Sequence, residues 1–277
     1  MLARISLLGY CQSMEKASRN DSKIGNEKNF VFRRAGESDH AELVNDVFRS
    51  VADKYDLMND LMSGGIHRFW KQALVNRIKP RTGVHLLDLA GGTGDVTLRF
   101  LDNLHKNNQK CLDNISITVC DPNESMLQIA HNRVVDKGYV KGVEFINAPA
   151  EKLPLEDHSV DVCVISFGLR NVTDRKLGLS EIHRILKFGG HFLCLEFSPV
   201  TVSTLAPLYN AYSDHVLPWL GHHIAGDRNS YEYLVESIRQ FPSPDELTSE
   251  LQTSGFGNIT HRNLSGGIVA IHSGWRV

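Results

Sequence analysis

His85-Leu86-Leu87-Asp88-Leu89-Ala90-Gly91-Gly92-Thr93-Gly94-Asp95 is the stretch on which the reading of this chain turns. Residues 84–89 are an apolar run that stops at glycines, the pattern of a strand buried on both faces. The glycines let the backbone turn tightly and lie close to a ligand. The turn feeds a helix predicted over 95–104, and a helix N-terminus favours negative charge. A dinucleotide loop would read Gly-x-Gly-x-x-Gly. Here Gly92-Thr93-Gly94 is followed by Asp95, Val96 and Thr97, so the third glycine is absent. Asp88 places a carboxylate close to the loop. It suits a ligand with an ammonium-bearing amino-acid end better than a pyrophosphate.

Outward from this stretch the pattern alternates strand and helix. Strands are predicted at 115–120, 143–147, 160–166 and 191–196, and a closely spaced pair at 257–263 and 267–272. Helices are predicted at 41–50, 124–136, 201–216 and 244–254. A further helix starts at Thr173 as its cap and ends before Lys187-Phe188-Gly189-Gly190, the glycines serving as its stop. Such alternation implies a seven-stranded, mostly parallel sheet with helices on both faces and an antiparallel C-terminal strand pair.

In such sheets ligands bind beyond the carboxyl ends of the strands. Asp121 follows the second strand, where an acid can accept from both ribose hydroxyls of an adenosine; alternatively it caps the next helix. After the third strand comes Asn147-Ala148-Pro149-Ala150-Glu151, which should lie beside an adenine. After the fourth comes Ser166-Phe167-Gly168-Leu169-Arg170-Asn171-Val172-Thr173. Thr173 can cap the next helix itself, which leaves Arg170 and Asn171 free for substrate; the alternative is that these two only stabilise the turn and cap that helix.

The chain has 277 residues and a formal net charge of -2, so nothing at that level asks for nucleic acid. No apolar run approaches the roughly 20 residues of a membrane-spanning helix. The five cysteines are scattered without a Cys-x-x-Cys pair, and the thirteen histidines form no ligand cluster, so neither a disulfide framework nor a metal site is expected. Residues 1–38 carry seven Lys and Arg among Ser, Asn and Gly, and resemble a mitochondrial transit peptide, a disordered tail being the alternative. Residues 39–277 form the folded domain.

Taken together, these residues resemble the ubiquinone/menaquinone biosynthesis C-methyltransferase family from about Val47 onward. The most specific segments are Lys54-Tyr55-Asp56-Leu57-Met58-Asn59-Asp60, Gly64-Gly65-Ile66-His67-Arg68-Phe69-Trp70, the glycine stretch and residues 166–173. Downstream, Leu195-Glu196-Phe197-Ser198, residues 230–238 and residues 266–272 extend the resemblance. It implies a class I S-adenosylmethionine-dependent methyltransferase with a Rossmann-like fold. Implied cofactor contacts are Asp88, Gly91, Gly92, Thr93, Asp121, Pro149, Ala150 and Ser166. The family has Asn-Ala where this chain has Pro149-Ala150. Proline lacks both an amide donor and a polar side chain, so only the Ala150 backbone contact survives there. Phe188 likewise replaces a usual proline.

With the leader, the resemblance implies the mitochondrial branch, on the matrix side of the inner membrane. That branch methylates a ring carbon of 2-methoxy-6-polyprenyl-1,4-benzoquinol on the way to coenzyme Q. Peripheral membrane contact, a complex with other coenzyme Q biosynthesis enzymes and a homodimer are implied too. Another phenolic or quinol substrate, or a non-catalytic scaffold, are the alternatives. Arg170 is the expected electrostatic stabiliser of a ring phenolate, with Asn171 orienting a hydroxyl or water. The proton acceptor is open among Asp56, Asp60, His67 and Tyr212. Residues 205–219 are a candidate wall for the polyprenyl tail, or simply a core helix.

Overall fold

The computed structural model describes residues 59–60, 63–78, 83–106, 116–200, 211–212, 216 and 228–277. Residues 1–38, expected as a leader, Asp56, the helix predicted at 41–50 and most of the 201–219 segment lie outside the described residues. The elements run α1 (His67–Ile78), β1 (His85–Leu89), α2 (Asp95–Lys106), β2 (Ser116–Cys120), α3 (Glu124–Asp136) and β3 (Val143–Ile146). Then come β4 (Val160–Ser166), a 3₁₀ turn (Leu169–Asn171), α4 (Arg175–Ile185), β5 (Leu186–Phe197), α5 (Arg228–Gln240), α6 (Pro244–Thr253), β6 (Phe256–Leu264) and β7 (Val269–Arg276).

The strands form one seven-stranded sheet in the order β3-β2-β1-β4-β5-β7-β6. The first five run parallel, and β7 pairs antiparallel with both β5 and β6. This is the predicted architecture. Successive residues alternate between two apolar layers, as a strand requires. Leu86, Val162, Val164, Leu193 and Leu195 pack with Trp70, Leu74 and Phe100 on one face. Leu87, Leu89, Cys163, Ile165, Phe192 and Cys194 pack with Leu179, Ile182 and Leu251 on the other. Cys120, Cys163 and Cys194 are buried free thiols, as the apolar runs around them predict.

Three local readings change. Asp174, not Thr173, caps α4: its side chain accepts from the Leu177 amide, while the Thr173 amide donates to Glu151 Oε1 at 2.8 Å. The Gly189-Gly190 pair does not stop a helix. It lies within β5, whose pairing with β4 jumps from Val160–Leu186 to Val162–His191. Gly189 takes the left-handed conformation (φ 74°) at that bulge. Finally, α1 and α5 lie where the periodicity argument places no helix. In α1 the buried positions His67, Trp70, Lys71, Leu74, Val75 and Ile78 have helical spacing, but two are polar, so the apolar stripe is broken in sequence.

Candidate functional site

Strand order reverses between β1 and β4, and the crevice beyond their carboxyl ends is where an open sheet of this kind takes its ligand. Both strands leave the sheet through strained residues. Ala90 (φ 50°) and Phe167 (φ 58°) have left-handed backbones without being glycine, and such outliers gather at functional sites. The two turns abut: a Cβ added to Gly168 would sit 2.4 Å from the Ala90 Cβ.

On the β1 side the turn rests on two buried carboxylates. Asp88 is 1% exposed and accepts from the Thr97 amide at 3.1 Å and the Thr97 hydroxyl at 2.6 Å, so it fastens the first turn of α2. Gly91 lies directly above it, where a Cβ would meet Val119 Cγ1 at 2.7 Å and Asp88 Cγ at 3.3 Å. Asp121, at the end of β2, accepts from the Gly92 amide at 2.9 Å and the Asn123 amide at 2.8 Å. It therefore ties the glycine turn to β2, while Asn123 is the cap of α3. Burial raises both carboxyls to about 6, against the hydrogen bonds that pull each of them down. A raised carboxyl favours the fold most below its unfolded value near 3.8 and loses that contribution as pH climbs through 6. Thr93 is buried between them in sequence, and its carbonyl accepts from Arg133 at 3.2 Å.

The loop after β3 closes on the same edge. The Asn147 side chain donates to the Asp121 carbonyl at 3.1 Å. Cys120 Sγ donates to the Ala148 carbonyl at 3.4 Å. Ala150 is buried, and the Pro149 carbonyl accepts from the Lys152 amide. Asn147 thus supports the strand end from which Asp121 projects.

Ser166 ends β4. Its hydroxyl is buried and has no hydrogen-bond partner, which few native groups tolerate without a role. Arg170 and Asn171 follow in the 3₁₀ turn. The Arg170 guanidinium is 3% exposed and pairs with Glu196, 1% exposed, at 2.6 Å. Its Nη1 also donates to the Phe167 carbonyl at 2.7 Å, and it lies over the Phe197 ring. The Glu196 carboxylate also accepts from the Arg170 and Phe197 amides. Asn171 Oδ1 accepts from the Tyr233 hydroxyl at 3.1 Å. So Arg170 is held in a buried ion pair, and Asn171 in a side-chain contact from α5.

The helix α1 walls the crevice. Lys71 Nζ pairs with Asp95 at 2.9 Å, and the Trp70 ring packs on Phe167 and Phe197. The Trp70 indole N–H donates to Ser265 Oγ at 2.8 Å. Glu196, Tyr233, Lys71 and Trp70 had no role assigned from the sequence. Glu196, Tyr233 and Trp70 carried one signal, membership in the segments of the family resemblance, and Lys71 carried none. Among the described residues no group of His, Cys, Asp and Glu is arranged to hold a metal, and no helix is long and apolar enough to cross a membrane.

The fold resembles that of a possible histamine N-methyltransferase from Thermotoga maritima (TM-score 0.58, 20% identity, 84% of this chain and 100% of that one). It also resembles a SAM-dependent methyltransferase from Aquifex aeolicus (TM-score 0.54, 17% identity, 80% and 98% coverage). In sequence, the chain is 44% identical over 268 residues to a ubiquinone/menaquinone biosynthesis C-methyltransferase from Brucella anthropi, covering 96% of this chain and 99% of that protein. It is also 44% identical to a mitochondrial 2-methoxy-6-polyprenyl-1,4-benzoquinol methylase from Bos taurus, covering 93% and 86%. With a match over residues 35–276 to the model of that group, this chain belongs to the ubiE/COQ5 methyltransferase family.

Proposed function

We propose that the chain transfers a methyl group from S-adenosylmethionine to a ring carbon of 2-methoxy-6-polyprenyl-1,4-benzoquinol, in coenzyme Q synthesis. Family membership supports the reaction class, and the buried, unpartnered Ser166 hydroxyl at the switch-point crevice is the observation that carries the site. The residues present fit the cofactor. Gly91, Gly92 and Thr93 would form the floor for its amino-acid end, with Asp88 beneath. Asp121 would accept from the ribose hydroxyls, Ser166 would donate its hydroxyl, and Pro149 with the Ala150 amide would border the adenine. When bound, S-adenosylmethionine supplies a methyl group already activated on a sulfonium.

The chain's own task is placement and charge. Holding two reactants at near-attack distance supplies several kcal/mol of the barrier. A quinol carbon becomes a good nucleophile once a ring hydroxyl loses its proton, so the site should favour a phenolate. Tyr233 occupies Asn171 Oδ1, which leaves the Asn171 amide nitrogen to donate to a ring oxygen. Arg170 contributes a positive potential from within its ion pair, weaker than that of a free guanidinium because Glu196 faces it.

Mitochondrial relatives, with the basic 1–38 leader, support a mitochondrial setting. The matrix face of the inner membrane, peripheral contact there, a homodimer and assembly with other coenzyme Q enzymes belong to the same reading. The test is a methyl-transfer assay with labelled S-adenosylmethionine and a short-tailed quinol lacking the ring methyl. Label on carbon supports the proposal; label on oxygen, or none, overturns it.

A further inference from the structure

C-methylation of an aromatic ring releases a proton, and the site described above contains no group assigned to take it. We propose that His67, oriented by Asp60, accepts the ring proton; this rests on the quinol reading above.

The position follows from how α1 is docked. Lys71 pairs with Asp95 at the start of α2. Trp70 packs on Phe167 and Phe197 and bonds to Ser265. Residues 70 and 71 therefore lie level with the carboxyl ends of β4 and β5. Ile78, at the other end of α1, is buried in the core beneath. His67 is on the same face as Trp70 and Lys71, three and four residues earlier. That places it about 4.5–6 Å further along the helix axis, beyond the sheet edge. Helical side chains lean toward the N-terminus, which carries the imidazole further the same way.

The ring is set up as an acceptor. His67 is 4% exposed. Its Nε2 is 2.8 Å from Asp60 Oδ1. A carboxylate oxygen can only accept, so the proton belongs on Nε2 and the lone pair on Nδ1. Nδ1 is buried and has no hydrogen-bond partner. Asp60 is itself fixed by Arg68, through Nε at 3.0 Å and Nη2 at 2.6 Å. Among the described residues, the charged groups acting on His67 are Asp60, Lys71 and Asp95, with Arg68 bound to Asp60. Burial holds the imidazole below its ordinary pKa in spite of Asp60, so near neutrality it is in the form that can take a proton.

The step balances. The ring carbon's electron pair forms the new carbon–carbon bond while the sulfur keeps the pair of the sulfur–methyl bond it loses. The same ring carbon then bears both methyl and hydrogen. Its carbon–hydrogen pair returns to the ring as the proton passes to His67 Nδ1, and the imidazolium later yields it to water.

The test uses the full chain, S-adenosylmethionine and a short-tailed quinol deuterated at the carbon that receives the methyl. In His67→Gln, turnover should fall roughly 10²-fold while cofactor affinity stays within about twofold. A deuterium isotope effect should appear as proton removal becomes limiting. Turnover like that of the unaltered chain, or slow turnover with no isotope effect, overturns the proposal. Asp60→Asn keeps the imidazole and serves if the first variant does not fold. It removes an influence that raises the His67 pKa, so the acid limb of its rate profile should move to lower pH; an unmoved limb overturns the proposal. If the unaltered chain leaves the ring carbon unmethylated, the quinol reading falls and this one with it. If the unaltered chain methylates and His67→Gln matches it, only this one falls.

Discussion

The two banks of the crevice are built differently. On the β1 bank, buried carboxylates meet backbone amides: Asp88 holds Thr97, and Asp121 holds Gly92 and Asn123. On the β4 bank the buried carboxylate of Glu196 meets a cation as well as the Arg170 and Phe197 amides, and Tyr233 holds the Asn171 side chain. The first arrangement depends on backbone shape and so on glycine. The second depends on keeping a buried charge compensated. A substitution should therefore fail in a different way on each bank.

The largest expected effect is on the β4 bank. Glu196→Gln leaves the Arg170 cation buried beside a neutral partner, and losing one partner of such a pair costs about 3–5 kcal/mol. Denaturant unfolding would measure this; a loss below about 1 kcal/mol, the scale of an exposed pair, would erase the contrast between banks. Next is Gly168→Ala, where the two banks touch. The new methyl would collide with Ala90, and overpacking of this kind costs about 1–3 kcal/mol. Because Ala90 opens the glycine turn, affinity for S-adenosylmethionine should fall along with stability, by calorimetry. Retained affinity would mean that the banks move independently. The smallest effect is Ser166→Ala. Removing an unpartnered buried hydroxyl should leave the ligand-free protein as stable or slightly more so, yet weaken cofactor binding by about 0.5–1.5 kcal/mol, the worth of one hydrogen bond. Lost stability without lost affinity would give Ser166 a structural role instead.

The same difference sets what the sequence could tell. The β1 bank sits in one strand–turn–helix unit, so its apolar run, glycines and acids lie side by side and can be read off. Strand alternation and helix spacing are equally local, and the sheet with its antiparallel end was legible from them. The β4 bank joins residues 26 and 62 positions apart, and Trp70 reaches 195 positions to Ser265. Nothing in local periodicity brings such pairs together. The Arg170–Glu196 pair was not legible there, because nothing around Glu196 signals a partner 26 positions away. In α1, His67 and Lys71 interrupt the apolar stripe because they serve Asp60 and Asp95 rather than the core. The polar positions that hid this helix are the ones that bring it to the site.

The sheet order also bears on how the chain is made. β7 lies between β5 and β6, and β6 pairs with β7 alone. During synthesis β6 leaves the ribosome before the strand it needs, and β5 keeps an unpaired edge until β7 arrives. Unpaired edges invite association with other chains. The interval between the emergence of β5 and that of β7 is therefore when the nascent protein is open to misassembly, and a chaperone holding the β5 edge would act in that window.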